Sequence, residues 1–462
     1  MASVTFDPVA SRGAKSNRRA PGSKPGPAPR PVVVQVAAIV VGLGFGVSVG
    51  LALTAETRSQ LRATGGVLMF LGSLTGLSGT YLALVMVLLV SRIPWVERVL
   101  GQDGLLRWHR ALAPWPITLI SAHAIFLTVA YAEVAKSGVF HELGALVNSY
   151  PNMLTATVGL GLMVAIGIAS IRQLRTRIRR ESWWAFHLLM YVALALAFAH
   201  EIALGPSFVG HPLTRLVWSI AWGLTAGLVV AYRIGLPVVR SLRHRLRIVE
   251  IRPEAPGVVS VILEGRHLDR LALSGGQFFE WRFLARDMWW QAHPFTLSAR
   301  PRPPYLRLTV KAVGDFSTAV ADLRPGTRVA IEGPYGAFTT HARLRNKVAM
   351  IAGGIGVTAL RSLLEDLPRN TDPAVVLRAR TEDELVLKSE VAELVRHRKG
   401  RVYELLGHRD EVDLARIGEL VPDIAARDVF ISGSEGFVEA ARAAVQQLGV
   451  ANEAIHYEVY AL

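Results

Sequence analysis

Apolar positions along this chain follow two regimes. Between residues 31 and 236 they form long runs with charged side chains at the edges, and from 241 onward they alternate over short stretches between turn residues. Bilayer crossing takes about 20 apolar residues per helix. The first regime therefore predicts six membrane-spanning helices, near 31–53, 65–90, 108–131, 151–171, 182–201 and 213–234. In the second, "RLRIVEIRPE", "VVSVILEG", "QFFEWRFL", "YLRLTVKAV" and "RVAIEGPYG" predict the strands of a small antiparallel β-barrel over 241–342. After residue 343 strands alternate with helices: "KVAMIAGG" leads into "IGVTALRSLLEDL", "AVVLRAR" precedes "LVLKSEVAELVRHR", and "DVFISGS" precedes "GFVEAARAAVQQLG". That pattern predicts an α/β doubly wound parallel sheet over 343–462. The fold class expected is a multidomain membrane protein: an all-α six-helix transmembrane bundle over 31–240, then the barrel, then the α/β domain.

Composition agrees with this division. Of 462 residues, 51% are hydrophobic, too apolar for an ordinary soluble protein. Residues 1–30, ending in "PGSKPGPAPR", read as a disordered basic tail. The net charge of +15 would suit nucleic acid, but many arginines flank apolar runs, so no nucleic-acid partner is expected and the partner is the lipid membrane. Arginines and lysines gather in the tail, at 92–110, at 172–180 and at 240–247, whereas the alternate connections hold only Arg58, Arg62, Lys136 and Arg215. The positive-inside rule then places both termini in the cytoplasm of a multi-pass cell-membrane protein. The absence of cysteine excludes disulfides, thiolate catalysis, iron–sulfur clusters and c-type haem attachment.

The third and fifth expected spans each carry two histidines, His109 with His123 and His187 with His200. Spacings of 14 and 13 residues are close to four helical turns, so each pair shares a face, with levels about 20 Å apart. Both spans run in the same direction, so His109 and His187 share the inner level and His123 and His200 the outer. Two helices offering imidazoles at two matched levels suit two b-type haems, each iron held by two histidines. The bland alternative is that each histidine caps a helix or bonds a neighbouring carbonyl. Pro114 and Pro116 should kink the third span.

Four motifs occur in order in the second half: "HPFTLSA" (293–299), "VKAVGDFST" (310–318), "EGPYGAF" (332–338) and "AGGIGVTAL" (352–360). The ordered set resembles the ferredoxin–NADP reductase superfamily. With the four-histidine region in front, nearly the whole chain beyond the tail resembles the ferric reductase and NADPH oxidase family. The resemblance implies an FAD-binding barrel and an NADP-binding α/β domain. It implies that His293, Pro294, Phe295 and Thr296 lie against the flavin, with Thr296 nearest its reactive nitrogen. Many soluble relatives have Arg where His293 stands. Lys311, Gly314, Phe316, Ser317 and Thr318 are expected near the cofactor pyrophosphate, with Ser317 and Thr318 offering donors. Gly353, Gly354, Gly356 and Thr358 follow a strand and open a helix, where backbone N–H groups suit a dinucleotide pyrophosphate. Relatives carry Cys-Gly-Pro beside the nicotinamide; here Ser432, Gly433 and Ser434 stand instead. Tyr460, two residues from the end, matches the terminal aromatic that covers the flavin in relatives.

The end of "AVVLRA" (374–379) lies where the adenosine ribose should sit. Arg378 and Arg380 are there, and a guanidinium fork fits a 2′-phosphate better than a hydroxyl, so NADPH is expected over NADH. The function expected is transfer of electrons from cytoplasmic NADPH through FAD and two haems to an external acceptor: oxygen, a ferric chelate or a redox protein. The alternative is a membrane-anchored flavin reductase whose membrane domain binds no haem.

Overall fold

The computed structural model describes residues 31–460 apart from 56, 101, 272 and 409–413; the expected basic tail lies outside the described residues. The chain forms two compact units, one ending at Ile234 and one beginning at Gly235.

The first unit is helical. Its principal helices are α1 (Pro31–Ala55), α2 (Gly66–Leu89), α3 (Gln102–Leu112), α4 (Pro114–Ala135), α5 (Val139–Ser149), α6 (Met153–Ala169), α7 (Arg180–Leu204) and α8 (Pro212–Val229). Five stretches are long and apolar enough to cross a membrane: Val34–Ala55, Gly66–Leu89, Gly104–Ala135, Ser182–Leu204 and Pro212–His244. The fourth expected span takes another form. α6 alone is 17 residues, and it becomes a sixth candidate only together with α5, from which it is bent by 118°. Outward positions are apolar, as on α1, where Val36, Ile39, Val40, Leu43 and Val47 are all exposed. Exposed apolar faces of this extent need a hydrocarbon surround.

Close approach inside the bundle depends on glycine. On α2, a Cβ at Gly72 would sit 2.5 Å from Leu127, and one at Gly76 would sit 2.5 Å from Nδ1 of His123. Small residues thus let α4 lie against α2. The two prolines do less damage than expected. Pro114 sits at the start of α4, where its missing N–H is tolerated, and the Ala113 N–H still donates to His109 O at 3.0 Å.

The second unit opens with α9 (Leu236–His244), which packs on a six-stranded antiparallel sheet. Its strands are β1 (Leu246–Ala255), β2 (Val258–Glu264), β3 (Phe278–Phe283), β4 (His293–Thr296), β5 (Tyr305–Lys311) and β6 (Arg328–Tyr335). The order is β4-β3-β6-β1-β2-β5, and a bridge between Leu297 and Leu308 links the two edges. Alternate positions of β3 and β6 point inward: Phe279, Trp281 and Phe283 are fully buried, with Val329 and Ile331 beside them. Ser241 on α9 accepts from the Ile331 N–H, and Arg240 donates to Gly333 O.

A five-stranded parallel sheet follows, made of β7 (Val348–Gly353), β8 (Ala374–Ala379), β9 (Arg401–Leu406), β10 (Asp428–Ser434) and β11 (Ile455–Tyr460). Its order is β11-β10-β7-β8-β9, with α10 (Val357–Asp366), α11 (Lys388–Arg396) and α12 (Glu435–Gln447) covering its faces. Strand order reverses direction between β7 and β10, and the crevice at such a switch point is where doubly wound sheets bind ligands.

Candidate active site

The four membrane histidines meet in pairs. The His109 and His187 ring centroids are 6.3 Å apart, and those of His123 and His200 are 6.2 Å apart. Imidazoles on opposite sides of one metal, with bonds of about 2 Å and roughly 1 Å more to each ring centre, stand about 6 Å apart. A second feature fits the same role. His109 Nδ1 lies 3.3 Å from Met86 O, His123 Nδ1 lies 2.8 Å from Gly72 O, and His200 Nδ1 contacts Ala197 O. A backbone acceptor at Nδ1 fixes the tautomer and leaves Nε2 to ligate. Among the described residues no group of three or more His, Cys, Asp or Glu gathers for a bare metal ion. Pairs are what haem requires, since the porphyrin supplies four ligands itself. The residues present fit that group.

Sequence reasoning passed over Glu201, which follows His200. Its carboxylate accepts from the Thr80 hydroxyl at 2.9 Å and from Trp218 Nε1–H at 3.0 Å, tying α7 to α2 and α8. A carboxylate in an apolar helix was the clue available.

The second cluster lies in the unit that begins at Gly235, where its two sheets approach each other. Thr296, buried at the end of β4, accepts from the Tyr460 hydroxyl at 3.2 Å. Burial, with some help from Glu458, pushes the tyrosine pKa up, so the phenol stays protonated and remains a donor. At the other end of β4, His293 stacks on Phe316 at 3.8 Å, while Phe295 lies nearly parallel to Phe316 at 6.4 Å. Pro294 between them is exposed. Trp281 Nε1–H donates to Phe295 O at 2.8 Å and fixes the strand from within.

In the dinucleotide loop, Gly354 adopts φ +52, and a Cβ at Gly356 would lie 2.2 Å from Ser432 O. Both positions therefore need glycine, one for its conformation and one for close approach. Ser432 was noted in the sequence only as a replacement. Its Oγ is buried, close to the Tyr460 hydroxyl at the end of β11. Gly433 and Ser434 complete the end of β10, paired with Val459 and Tyr460 of β11. These features fit a flavin and a dinucleotide held between the sheets. A cavity of about 290 Å³ opens here, lined by Lys311, Gly354, Thr381, Asp383 and Glu384 among others.

Other expected donors have local partners. The Ser317 hydroxyl accepts from the N–H groups of Val313 (2.9 Å) and Gly314 (3.0 Å), closing the turn into the short helix Asp315–Ala319. Thr318 beside it is exposed. The Thr358 hydroxyl donates to Ile355 O at 2.9 Å. Arg378 donates to Gly407 O (2.8 Å) and His408 O (3.0 Å), stapling β8 to the end of β9. Arg380 differs: it is exposed, and its guanidinium has no hydrogen-bond or ion-pair partner among the described residues.

A buried ionic seam joins the two sheets. Arg307 on β5 makes a bidentate contact with Glu390 on α11 (2.8 and 2.9 Å), and Arg361 on α10 pairs with both Glu390 and Glu365 at 2.7 Å. The hydroxyls of Ser298, Thr309 and Ser260 extend the network into the antiparallel sheet.

Two stretches of the chain match known family models. Residues 75–198 match the family model described as "Ferric reductase like transmembrane component", and residues 257–339 match "FAD-binding domain". A flavohemoprotein of Bacillus subtilis is 28% identical over 183 residues, 36% of this chain and 46% of that protein. An NADPH oxidoreductase of Mycobacterium tuberculosis is 27% identical over 265 residues, 54% of this chain and 70% of that protein. Putative respiratory burst oxidase homolog protein G of Arabidopsis thaliana is 27% identical over 156 residues, 29% of this chain and 18% of that protein. The chain thus spans about half the length of the first of these relatives. It carries a ferric reductase-like transmembrane region followed by an FAD-binding domain, with five helical stretches long and apolar enough to cross a membrane.

Proposed function

We propose that the chain is a transmembrane oxidoreductase that takes electrons from cytoplasmic NADPH and delivers them to an outer acceptor, with FAD and two bis-histidine b-type haems as its bound groups. The acceptor is oxygen, a ferric chelate or a redox partner protein. The observation that carries this reading is the pair of imidazole couples at 6.3 and 6.2 Å within one apolar helical unit. A flavin reductase with a haem-free membrane anchor would have no use for them. Bound flavin would accept a hydride and release electrons singly, and bound haem iron would carry them one at a time.

The chain's own residues orient and enclose these groups. His109 and His187 hold the inner level, and His123 and His200 the outer. Residues 31–240 form the membrane domain, 241–342 the FAD domain and 343–462 the NADP domain. Thr296 and Tyr460, joined by their hydroxyls, would hold the flavin and shield it from water. Gly353, Gly354 and Gly356 present backbone N–H groups to the dinucleotide pyrophosphate. Arg380 takes the 2′-phosphate, and Arg378 holds the strand end that positions it. The arginine-rich connections place both termini in the cytoplasm.

The test is spectral and stoichiometric. Purified protein should hold two b-type haems and one FAD per chain and oxidise NADPH. Protein that folds with FAD but takes up no haem would refute the reading. Turnover with oxygen, a ferric chelate and a redox protein in turn identifies the acceptor.

A further inference from the structure

The four membrane histidines are not held alike. Three have a backbone carbonyl at Nδ1. His187 has none: its Nδ1 is buried and without a hydrogen-bond partner among the described residues. Its ring instead stacks on the indole of Trp183, one turn earlier on α7, with centroids 4.8 Å apart and planes 23° apart. That indole is itself fixed at two points. Its Nε1–H donates to Ser170 Oγ at 3.3 Å, and the guanidinium of Arg175 lies over its ring at 4.3 Å. Ser170 in turn donates to Ile166 O at 2.7 Å, anchoring the contact to α6.

We infer that Trp183 is the positioning residue for His187, with Ser170 and Arg175 holding it in place. The inference rests on the haem reading for the group His187 would bind. A ligating imidazole must be held at one χ2 angle, and a hydrogen bond at the second nitrogen usually does this. Without an acceptor the ring is free to turn about its Cβ–Cγ bond. A flat indole at i−4 removes that freedom, because side chains four apart share a helix face and the rings cannot pass each other. The guanidinium strengthens the arrangement, since a cation over the indole face is favourable and disfavours an indole rotated edge-on. Loss of Trp183 would free the ligand at the inner level and leave the outer level untouched.

Haem content and haem loss to excess apomyoglobin, measured on the full-length protein in detergent, test this. A low-temperature electron paramagnetic resonance spectrum of the ferric protein reports ring orientation separately. Trp183→Leu should accelerate loss of one haem about two- to tenfold and shift one of the two low-spin signals. Trp183→Phe, which keeps a stacking face, should restore most of the retention. Arg175→Gln and Ser170→Ala should each speed the loss by about two- to fivefold, with FAD content unchanged. If Trp183→Leu proves too unstable to purify, these two milder variants decide the matter. His187→Ala serves as the control for the underlying reading: two haems retained there would mean that His187 is not a ligand. One haem lost in His187→Ala, with unchanged loss rates and signals in all the other variants, would overturn the role given to Trp183.

Discussion

Glu390→Ala is the most informative single change to the ionic seam. It removes a carboxylate that faces two guanidiniums, of Arg307 and Arg361, whose side chains are 2% and 0% exposed. Arg361 keeps Glu365 at 2.7 Å and Arg307 keeps the Ser298 hydroxyl at 3.1 Å, so neither is stripped of all its partners. Removing one partner of a buried pair typically costs about 3–5 kcal/mol. The Glu390 side chain is 24% exposed, which argues for the lower end, about 3 kcal/mol. At about 2–4 °C per kcal/mol for a unit of this size, melting should fall by about 6–12 °C, read by release of FAD fluorescence from the full-length protein. Function should suffer as well. α10 carries the Gly353–Gly356 loop at its start and Arg361 and Glu365 further along, while Arg307 belongs to the sheet that presents Thr296. Loosening the seam widens the range of distances between nicotinamide and flavin, and an error of about 1 Å can cost on the order of a hundredfold. Stopped-flow reduction by NADPH should show a limiting rate at least about tenfold lower, with a smaller change in the dissociation constant. Lys388→Ala is the control, since it removes only solvent-screened pairs with Glu382 and Glu404, which contribute little. A Glu390→Ala protein that melts and reduces its flavin like this control would refute the reasoning. The pH dependence has a definite sign. Burial pushes the Glu390 pKa up, but Arg307 and Arg361 outweigh it and hold the net value below the ordinary carboxylate range. Its stabilisation is therefore present above that range and lost as pH falls through the lowered pKa. The gap in stability between wild type and Glu390→Gln should close in acid.

Three other outcomes are expected. His187→Ala and His200→Ala should each bind one haem fewer, by pyridine haemochrome assay, since one axial ligand seldom retains a b-type haem. Arg380→Ala should raise the NADPH Michaelis constant about tenfold or more with NADH little changed, as a charge-assisted contact is worth about 1.5–3 kcal/mol; Arg378→Ala should instead weaken both dinucleotides together by loosening the end of β8. Protease protection in sealed vesicles should find both termini on the side bearing the arginine clusters.

Much of the architecture was readable because it depends on repeating local patterns. The apolar runs mark the membrane helices, and the 13- and 14-residue spacings foretold that the histidines would pair by level. The α3–α4 junction kept its phase despite Pro114, because a proline at the first position of a helix removes no bond the helix needs. The bent pair α5 and α6 was not foreseen, since hydropathy measures apolar length and says nothing of a 118° turn between two short helices. Strands β9 and β11 also went unread as strands. β11, "IHYEVY", is polar on one side, and its place at the sheet edge comes from pairing with β10 across a helix.

The fate of the two arginines at β8 shows where pattern reading stops. Alternation along a strand puts Arg378 and Arg380 on the same side only while the strand continues. β8 ends at Ala379, so Arg378 remains a strand residue beside β9, where the carbonyls of Gly407 and His408 take its donors. Arg380 lies one residue beyond, in the turn, where its N–H is held by Glu384 at 3.1 Å and its side chain is left to solvent. Two residues of the same type, two positions apart, are thus separated by a strand boundary that depends on β9, over twenty residues later. The same holds for Ser317, whose hydroxyl closes its own turn. Residue type shows which groups are able to bind a phosphate or a nicotinamide. Which of them remain available is decided by contacts distant in sequence, and the Arg380 guanidinium, without a partner among the described residues, is one where a ligand adds a bond without breaking one.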